Sequence, residues 1–390
     1  NGSCAKVLGG YDYGSGDADP MDVNSHGTHV AGITASENDT YRGVAPGAGL
    51  VALKVFTNTG SGSTSDVISA IDWCKNNRSV YNISVITMSL AVTSGGSELI
   101  FNSSCDSDDA SGLANAASGA AALGIFVDAS AGNAGNSSGI TSPSCGVNVT
   151  SVGSVTKTDG NSNYNTGPNL DVMATGSSIV STTLSNTFGS KSGTSMAAPH
   201  VAGAAALLTQ YHRLTENKNL TPSEIDNKLK ITGVPFTDAR NSLTFPRINL
   251  LEAIKPFINF TSPTPANNSL VGNSITINAT ADTNISVALL EWNNGTTNNL
   301  SMTKVNNTLF TITLYPLGTT VNFRVHGNDS AGLWGASSFR TVTMDNSSPN
   351  ITVYRPTNNS IWGSQFYLNI SITNLNLTSS YYNITNSSGD

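Results

Sequence analysis

Three short segments of the 390-residue chain carry the residue types that acyl transfer requires. In the run 192–203, Ser-Gly-Thr-Ser-Met-Ala-Ala-Pro-His-Val-Ala-Gly, Ser195 stands where a Gly-Thr turn enters a helix of small residues. A serine there exposes its hydroxyl, and its own N–H together with the helix dipole points to where an oxyanion would form. Pro199 falls near the helix start, where a missing N–H is tolerated best. In the run 25–32, Ser-His-Gly-Thr-His-Val-Ala-Gly, His26 opens another helix and can offer an imidazole to take the serine proton. In the run 129–135, Ala-Ser-Ala-Gly-Asn-Ala-Gly, Asn133 sits in a glycine-rich loop, where an amide N–H₂ can donate to the developing oxyanion.

The elements that must position these residues follow from periodicity. Apolar runs at 50–56, 85–90 and 125–130 read as buried strands, and the stretches 26–34, 65–76, 110–123 and 195–211 read as helices. Strands alternating with helices predict an α/β domain over residues 1–255, with a mostly parallel sheet and helices on both faces. Past Lys255 helical periodicity disappears. Alternating runs at 274–280, 309–314 and 321–325, separated by Gly, Pro and Asn, predict all-β sandwich structure. Pro265-Ala-Asn-Asn-Ser269 is echoed by Pro356-Thr-Asn-Asn-Ser360. That offset matches one immunoglobulin-like or fibronectin-III-like module, which predicts one module over 256–346 and the start of a second over 347–390.

The three chemistry-bearing runs resemble, in the same order, the serine-protease motifs of the subtilase family, and the resemblance covers residues 4–255. It implies a subtilisin-like fold, with His26 as general base, Ser195 as nucleophile and Asn133 as oxyanion donor. Gly60, Ser61 and Gly62, and Ser89, Leu90 and Ala91, resemble the two strands that hold an extended peptide in that family. Ser130, Ala131 and Gly132 resemble one wall of its primary specificity pocket. Ala91 departs from the family pattern, which usually has Gly. None of these segments contains an acid, so the expected P1 side chain is apolar and the preference broad. The resemblance also implies protein or peptide substrates, no cofactor for the chemistry, room for a structural calcium, and a disulfide between Cys105 and Cys145. Cys4 and Cys74 are left without an assigned pairing, Cys74 reading as a buried core thiol beside Val67 and Ile71.

In the family a third residue, an Asp ending the first core strand a few dozen positions before the histidine, completes the triad. His26 comes so early that this position falls before Asn1. Asp12, Asp17, Asp19 and Asp22 lie upstream of His26, but none follows an apolar strand or precedes Thr/Ser-Gly, and all four read as solvated loop acids. Asp22 is the one substitute close enough to test. The chain opens on Asn1 and stops at Asp390 within a patterned segment, so it reads as part of a longer protein, weakly active or inactive in this form.

Other readings are narrower. His29 lies three residues from His26 without a His-Glu-x-x-His pattern and reads as a core histidine. His200 follows the serine run and reads as structural. Ala197 occupies the second glycine position of a Gly-x-Ser-x-Gly elbow, which argues against an α/β-hydrolase. Glu37, Asn38 and Asp39 carry oxygen ligands suited to calcium but read as a turn. A net charge of −7 at 11% charged residues argues against a nucleic-acid partner. No apolar run approaches the ~18 residues of a membrane-spanning helix. Asn-x-Ser/Thr sequons, among them Asn77, Asn82, Asn102, Asn278, Asn294, Asn328 and Asn369, suit an extracellular or cell-surface glycoprotein. The competing function is a surface adhesion protein with a degenerate protease domain, because β modules of this kind usually bind or space.

Overall fold

A computed structural model describes residues 5–272, 274–315, 320–344, 350–355 and 369–373. The chain divides into two compact units, Asn1–Ile254 and Lys255–Asp390.

In the first unit a six-stranded sheet has the order β13-β14-β10-β9-β7-β3. The strands and helices run along the chain as β1 Val7–Asp12, α1 His26–Ala35, β2 Leu50–Lys54, α2 Thr64–Asn77, β3 Val85–Met88, β4 Thr93–Ser94, β5 Ser97–Glu98, β6 Ile100–Phe101, α3 Leu113–Ala121 and β7 Phe126–Ser130. They continue as β8 Ile140–Thr141, β9 Thr150–Val155, β10 Val172–Thr175, β11 Ile179–Thr183, β12 Thr187–Lys191, α4 Thr194–Glu216, α5 Pro222–Ile231, β13 Val234–Thr237, β14 Thr244–Arg247 and α6 Leu250–Ala253. β3, β7, β9, β10 and β14 are parallel, and β13 closes the far edge as an antiparallel strand. α4 lies across β3, β7, β9 and β10, burying Ala197, Ala198, Val201, Ala202 and Ala205. Side chains this small let the helix axis approach the sheet, so the Ala-rich sequence sets how deep α4 sits. α2 and α3 pack the opposite face, with Val67, Ile71, Leu113 and Ala117 against Val127 and Ala129. Ser63 caps α2 through the Asp66 N–H, and Thr221 with Glu224 forms a capping box at α5.

Two expectations are corrected in this unit. Residues 7–12 form a strand, parallel to β2, and Asp12 at its end is buried, its carboxylate bonded by Lys54 Nζ and the Ser15 N–H. It is therefore no solvated loop acid. The consecutive Gly9 and Gly10 hid the strand from periodicity, yet a Cβ on Gly10 would stand 2.5 Å from the Ala52 carbonyl of β2. Close approach of the two strands selects glycine there against its poor strand propensity. The runs at 50–56 and 85–90 do contain β2 and β3, but β2 is half-buried throughout and β3 for all but Met88. The physical reason is position: β3 is the last strand of its sheet, and β2 pairs within a separate two-stranded sheet.

The second unit holds β15 Ile258–Thr261, β16 Ser269–Val271, β17 Ile275–Ala281, β18 Val287–Asn293, β19 Thr297–Ser301, β20 Thr303–Lys304, β21 Leu309–Leu314, β22 Thr320–Asn328, β23 Trp334–Ala336 and β24 Arg340–Met344. One sheet has the order β15-β17-β21-β20, the other β16-β24-β22-β18-β19. Alternate residues of both face one core around Ile277, Leu290, Phe323 and Val325, so the sheets form a sandwich. β25 Asn350–Arg355 and β26 Asn369–Thr373 pair separately. The second repeat expected over 347–390 falls largely outside the described residues, as does the echo at 356–360.

Candidate active site

Ser195 is the second residue of α4, half-buried at the helix mouth. Gly193 precedes the helix with φ 151°, a conformation that favours glycine. A Cβ there would also press to 3.3 Å of Asn133 Oδ1. Helix geometry leaves the first-turn N–H groups without carbonyl partners. One of them, the Thr194 N–H, donates to Asn133 Oδ1 at 3.0 Å, and Thr194 Oγ1 reaches the same oxygen at 3.1 Å. Because a backbone N–H can only donate, the acceptor end of the Asn133 amide faces α4, and Nδ2 points away from Thr194. Thr194 Oγ1 also lies 3.2 Å from both the N–H and the carbonyl of Gly132. The helix mouth and the 130–133 loop are thus joined by the residue before Ser195.

Pro199 is not in the first turn. It lies four residues after Ser195, so it withholds the N–H that would bond the Ser195 carbonyl. Ser89 supplies the missing donor: its Oγ–H bonds the Ser195 carbonyl at 2.9 Å. Ser89 follows β3 and Ser130 ends β7, so adjacent parallel strands deliver both at their carboxyl ends, where open α/β sheets place their ligands. Ser130 Oγ donates to the Leu90 carbonyl at 3.2 Å, and the Val92 N–H donates to the Ser142 carbonyl at 3.0 Å. The first bond holds the segments 89–92 and 130–133 beside one another, and the second ties 89–92 to the chain at Ser142. Ala91 in the first segment is half-buried, and Ala131 in the second is fully buried. Gly60, Ser61 and Gly62 form an exposed turn closed by the Thr57 N–H on the Ser61 carbonyl, and among the described residues no hydrogen bond joins them to either segment.

His26 begins α1, which packs on α4 and β11. Its imidazole is half-buried, and among the described residues no hydrogen bond ties it to Ser195 or to a carboxylate. Burial, then the charge of Lys191, holds its pKa below the usual imidazole value, while Asp22 opposes them. Asp22 does not orient the ring. Its Oδ1 accepts the N–H groups of Asn24 and Ser25, and its Oδ2 accepts the Thr28 N–H and hydroxyl. It caps α1, and those donors hold its own pKa down against the effect of burial. His29 is fully buried with Nε2 between the carbonyls of Ile179 and Gly189, and His200 Nδ1 is 2.8 Å from the Met196 carbonyl. Both are structural.

Cys105 and Cys145 are joined by a disulfide, with Cα atoms 5.4 Å apart, under the segment that carries Ser142 and Ser144. Cys74 is a free buried thiol whose pKa is pushed up by burial to about 12. Cys4 lies outside the described residues. Glu37 pairs with Lys6 and Asn38 Oδ1 accepts the N–H groups of Thr40 and Tyr41, so residues 37–39 form a bonded turn. Among the described residues no group of three or more His, Cys, Asp or Glu side chains is arranged to hold a metal.

One residue escaped sequence reasoning. Glu98, on the hairpin β4–β5, accepts the Asn133 N–H at 2.8 Å and the Asn165 Nδ2–H at 2.7 Å. The Gly95-Gly96 pair was the available signal, since a two-glycine turn folds the chain after Ala91 back toward the segment it left.

The profile of the Subtilase family matches residues 4–245. Subtilisin DY of Bacillus licheniformis is 39% identical over 240 residues, which is 60% of this chain and 79% of that protein. A thermophilic serine proteinase of Bacillus sp. (strain AK1) is 37% identical over 248 residues, 62% of this chain and 57% of that one. The crystal structure of a cold-adapted subtilisin-like serine proteinase superposes with a TM-score of 0.53 at 33% identity, covering 63% of this chain and 82% of that one. The motif order, the serine at the mouth of α4 and these similarities agree: the chain belongs to the subtilase family of serine endopeptidases.

Proposed function

We propose that residues 1–255 hydrolyse peptide bonds through an acyl-enzyme. Ser195 Oγ attacks the scissile carbonyl as His26 takes its proton. The tetrahedral oxyanion receives hydrogen bonds from Asn133 Nδ2 and the Ser195 N–H. His26 then returns the proton to the departing amine, and water releases the acyl group by the same steps. The observation that carries this reading is the orientation of Asn133, whose Oδ1 is held by Thr194, the residue before Ser195, so that Nδ2 is the end left to donate. An extended substrate would lie along the 89–91 and 60–62 segments by strand addition, with Ser130, Ala131 and Gly132 forming the pocket wall.

In this proposal the acid that orients His26 comes from sequence upstream of Asn1. Asp12 and Asp22 are committed elsewhere, and β3 keeps an open edge that a further strand can pair with. Residues 1–390 alone would then turn over slowly; loss of the corresponding Asp in subtilisin lowers turnover by ~3 × 10⁴. The β-sandwich of the second unit suits an immunoglobulin-like spacer on an extracellular or cell-surface protein. Fluorophosphonate labelling tests the function. Ser195 should label in the protein carrying its native upstream sequence, and Ser195→Ala should abolish the label. An inert Ser195 in that protein supports the second reading, a surface-binding protein with a degenerate site, which the lack of a carboxylate bonded to His26 among the described residues favours.

A further inference from the structure

Glu98 enters the candidate cleft from outside the segments that the family resemblance marks. The hairpin β4–β5 follows directly on Ser89-Leu90-Ala91, turns at Gly95-Gly96 and carries Glu98 across to the opposite wall. There Oε1 accepts the Asn133 N–H at 2.8 Å, and Oε2 lies 3.1 Å from that N–H, 3.3 Å from the Ala134 N–H and 2.7 Å from Asn165 Nδ2. Asn165 Nδ2 also reaches the Ala131 carbonyl at 3.1 Å. Gly132 makes the room. Its φ is +101°, and a Cβ on it would fall 2.3 Å from Glu98 Oε2 and 2.3 Å from Asn165 Nδ2. The carboxylate therefore stands at the wall residue itself, one position from the oxyanion asparagine.

All its donors are neutral. No cation among the described residues pairs with Glu98; Asp12, Asp238 and Glu291 have one, while Asp22 and Asp109, away from the pocket wall, are held like Glu98 by neutral donors. Oε1 keeps acceptor capacity, since a carboxylate offers about four lone-pair sites. A half-buried, fixed negative charge with no internal partner, at the pocket wall beside the nucleophile, is complementary to a cation brought by the substrate.

We propose that Glu98 is a specificity-determining residue that selects Arg or Lys at P1, in place of the apolar preference expected from the wall segments alone. This rests on the peptidase reading above. Charge-assisted hydrogen bonds are worth enough to favour a basic over an apolar P1 by about 10–100-fold.

The test uses the protein with its native upstream sequence and peptidyl diphenyl phosphonates differing only at P1: Arg, Lys, Phe or Leu. The second-order rate of Ser195 labelling is read for each. Arg and Lys probes are expected to react at least ~10-fold faster than Phe and Leu, and Glu98→Gln to erase that ratio. Ser195-dependent labelling that favours Phe or Leu overturns the proposal and leaves the peptidase reading standing. So does an unchanged ratio in Glu98→Gln, because a carboxylate that merely staples the hairpin would not discriminate P1 charge. If Glu98→Gln fails to fold, the native ratio decides alone. Inertness to every probe overturns both readings.

Discussion

Asn133 and Thr194 are bonded twice, the amide oxygen of Asn133 accepting both the backbone N–H of Thr194 at 3.0 Å and its hydroxyl at 3.1 Å. The pair couples the loop after β7 to the first turn of α4 and fixes which end of the Asn133 amide is free. Asn133→Ala is expected to slow acylation of Ser195 by ~10²–10³, the loss seen when one oxyanion donor is removed from subtilisin. Asn133→Asp should be at least as slow, because it presents an anion where Nδ2 donates. Rates of fluorophosphonate labelling across the variants check both. Equal rates in Asn133→Ala and the parent would remove Asn133 from the mechanism.

Ser89 and Pro199 act on the same atom, the Ser195 carbonyl. Ser89→Ala leaves that carbonyl without a donor and is expected to cost about 1 kcal/mol of stability. Pro199→Ala restores a helical N–H at that carbonyl, so the double variant should recover part of the loss. A double-mutant cycle on denaturant midpoints measures the coupling. Strict additivity would show that the two residues do not share a partner.

In the proposed mechanism the His26 imidazole must be neutral to accept the serine proton. In residues 1–390, without the proposed upstream acid, burial and Lys191 lower its pKa, so the acid limb of Ser195 labelling of this chain should fall below the ordinary imidazole value of about 6.5. Lys191→Gln removes one lowering influence and should move the limb to higher pH. The sign for stability follows from the same shift. Between the folded and unfolded pKa values the unfolded state binds more protons, so this histidine's contribution is present above about 6.5 and is lost as pH falls. A pH–rate profile of Lys191→Gln that moved to lower pH would contradict the assignment.

The Cys105–Cys145 bridge closes a loop of sequence separation 40. Replacing both cysteines by Ser is expected to lower stability by ~2–4 kcal/mol, chiefly by freeing the unfolded chain. The bridge also ties down the region of Ser142, whose carbonyl holds the Val92 N–H near the cleft. Thermal unfolding with and without reductant should separate the parent's two states and show none in the double serine variant.

Much of this protein is written locally. A run of small side chains marks the start of α4, a short apolar run broken only by Asp128 marks β7, and each candidate reactive residue sits inside its own short motif, so Ser195, His26 and Asn133 can be proposed without coordinates. The disulfide partners were reached through family resemblance rather than spacing. What the sequence could not settle are pairings between distant segments. Glu98 reaches Asn133 across 35 positions, Ser89 reaches Ser195 across 106, and Asp12 meets Lys54 across 42. Local pattern is blind to these because they depend on which strand lies beside which. Gly9 and Gly10 look like breakers until β2 is seen to approach them, and Gly132 looks like loop flexibility until a carboxylate fills the space of its absent side chain. Residue types decided which chemistry is available; strand order, helix depth and the return of one hairpin decided which charges surround it.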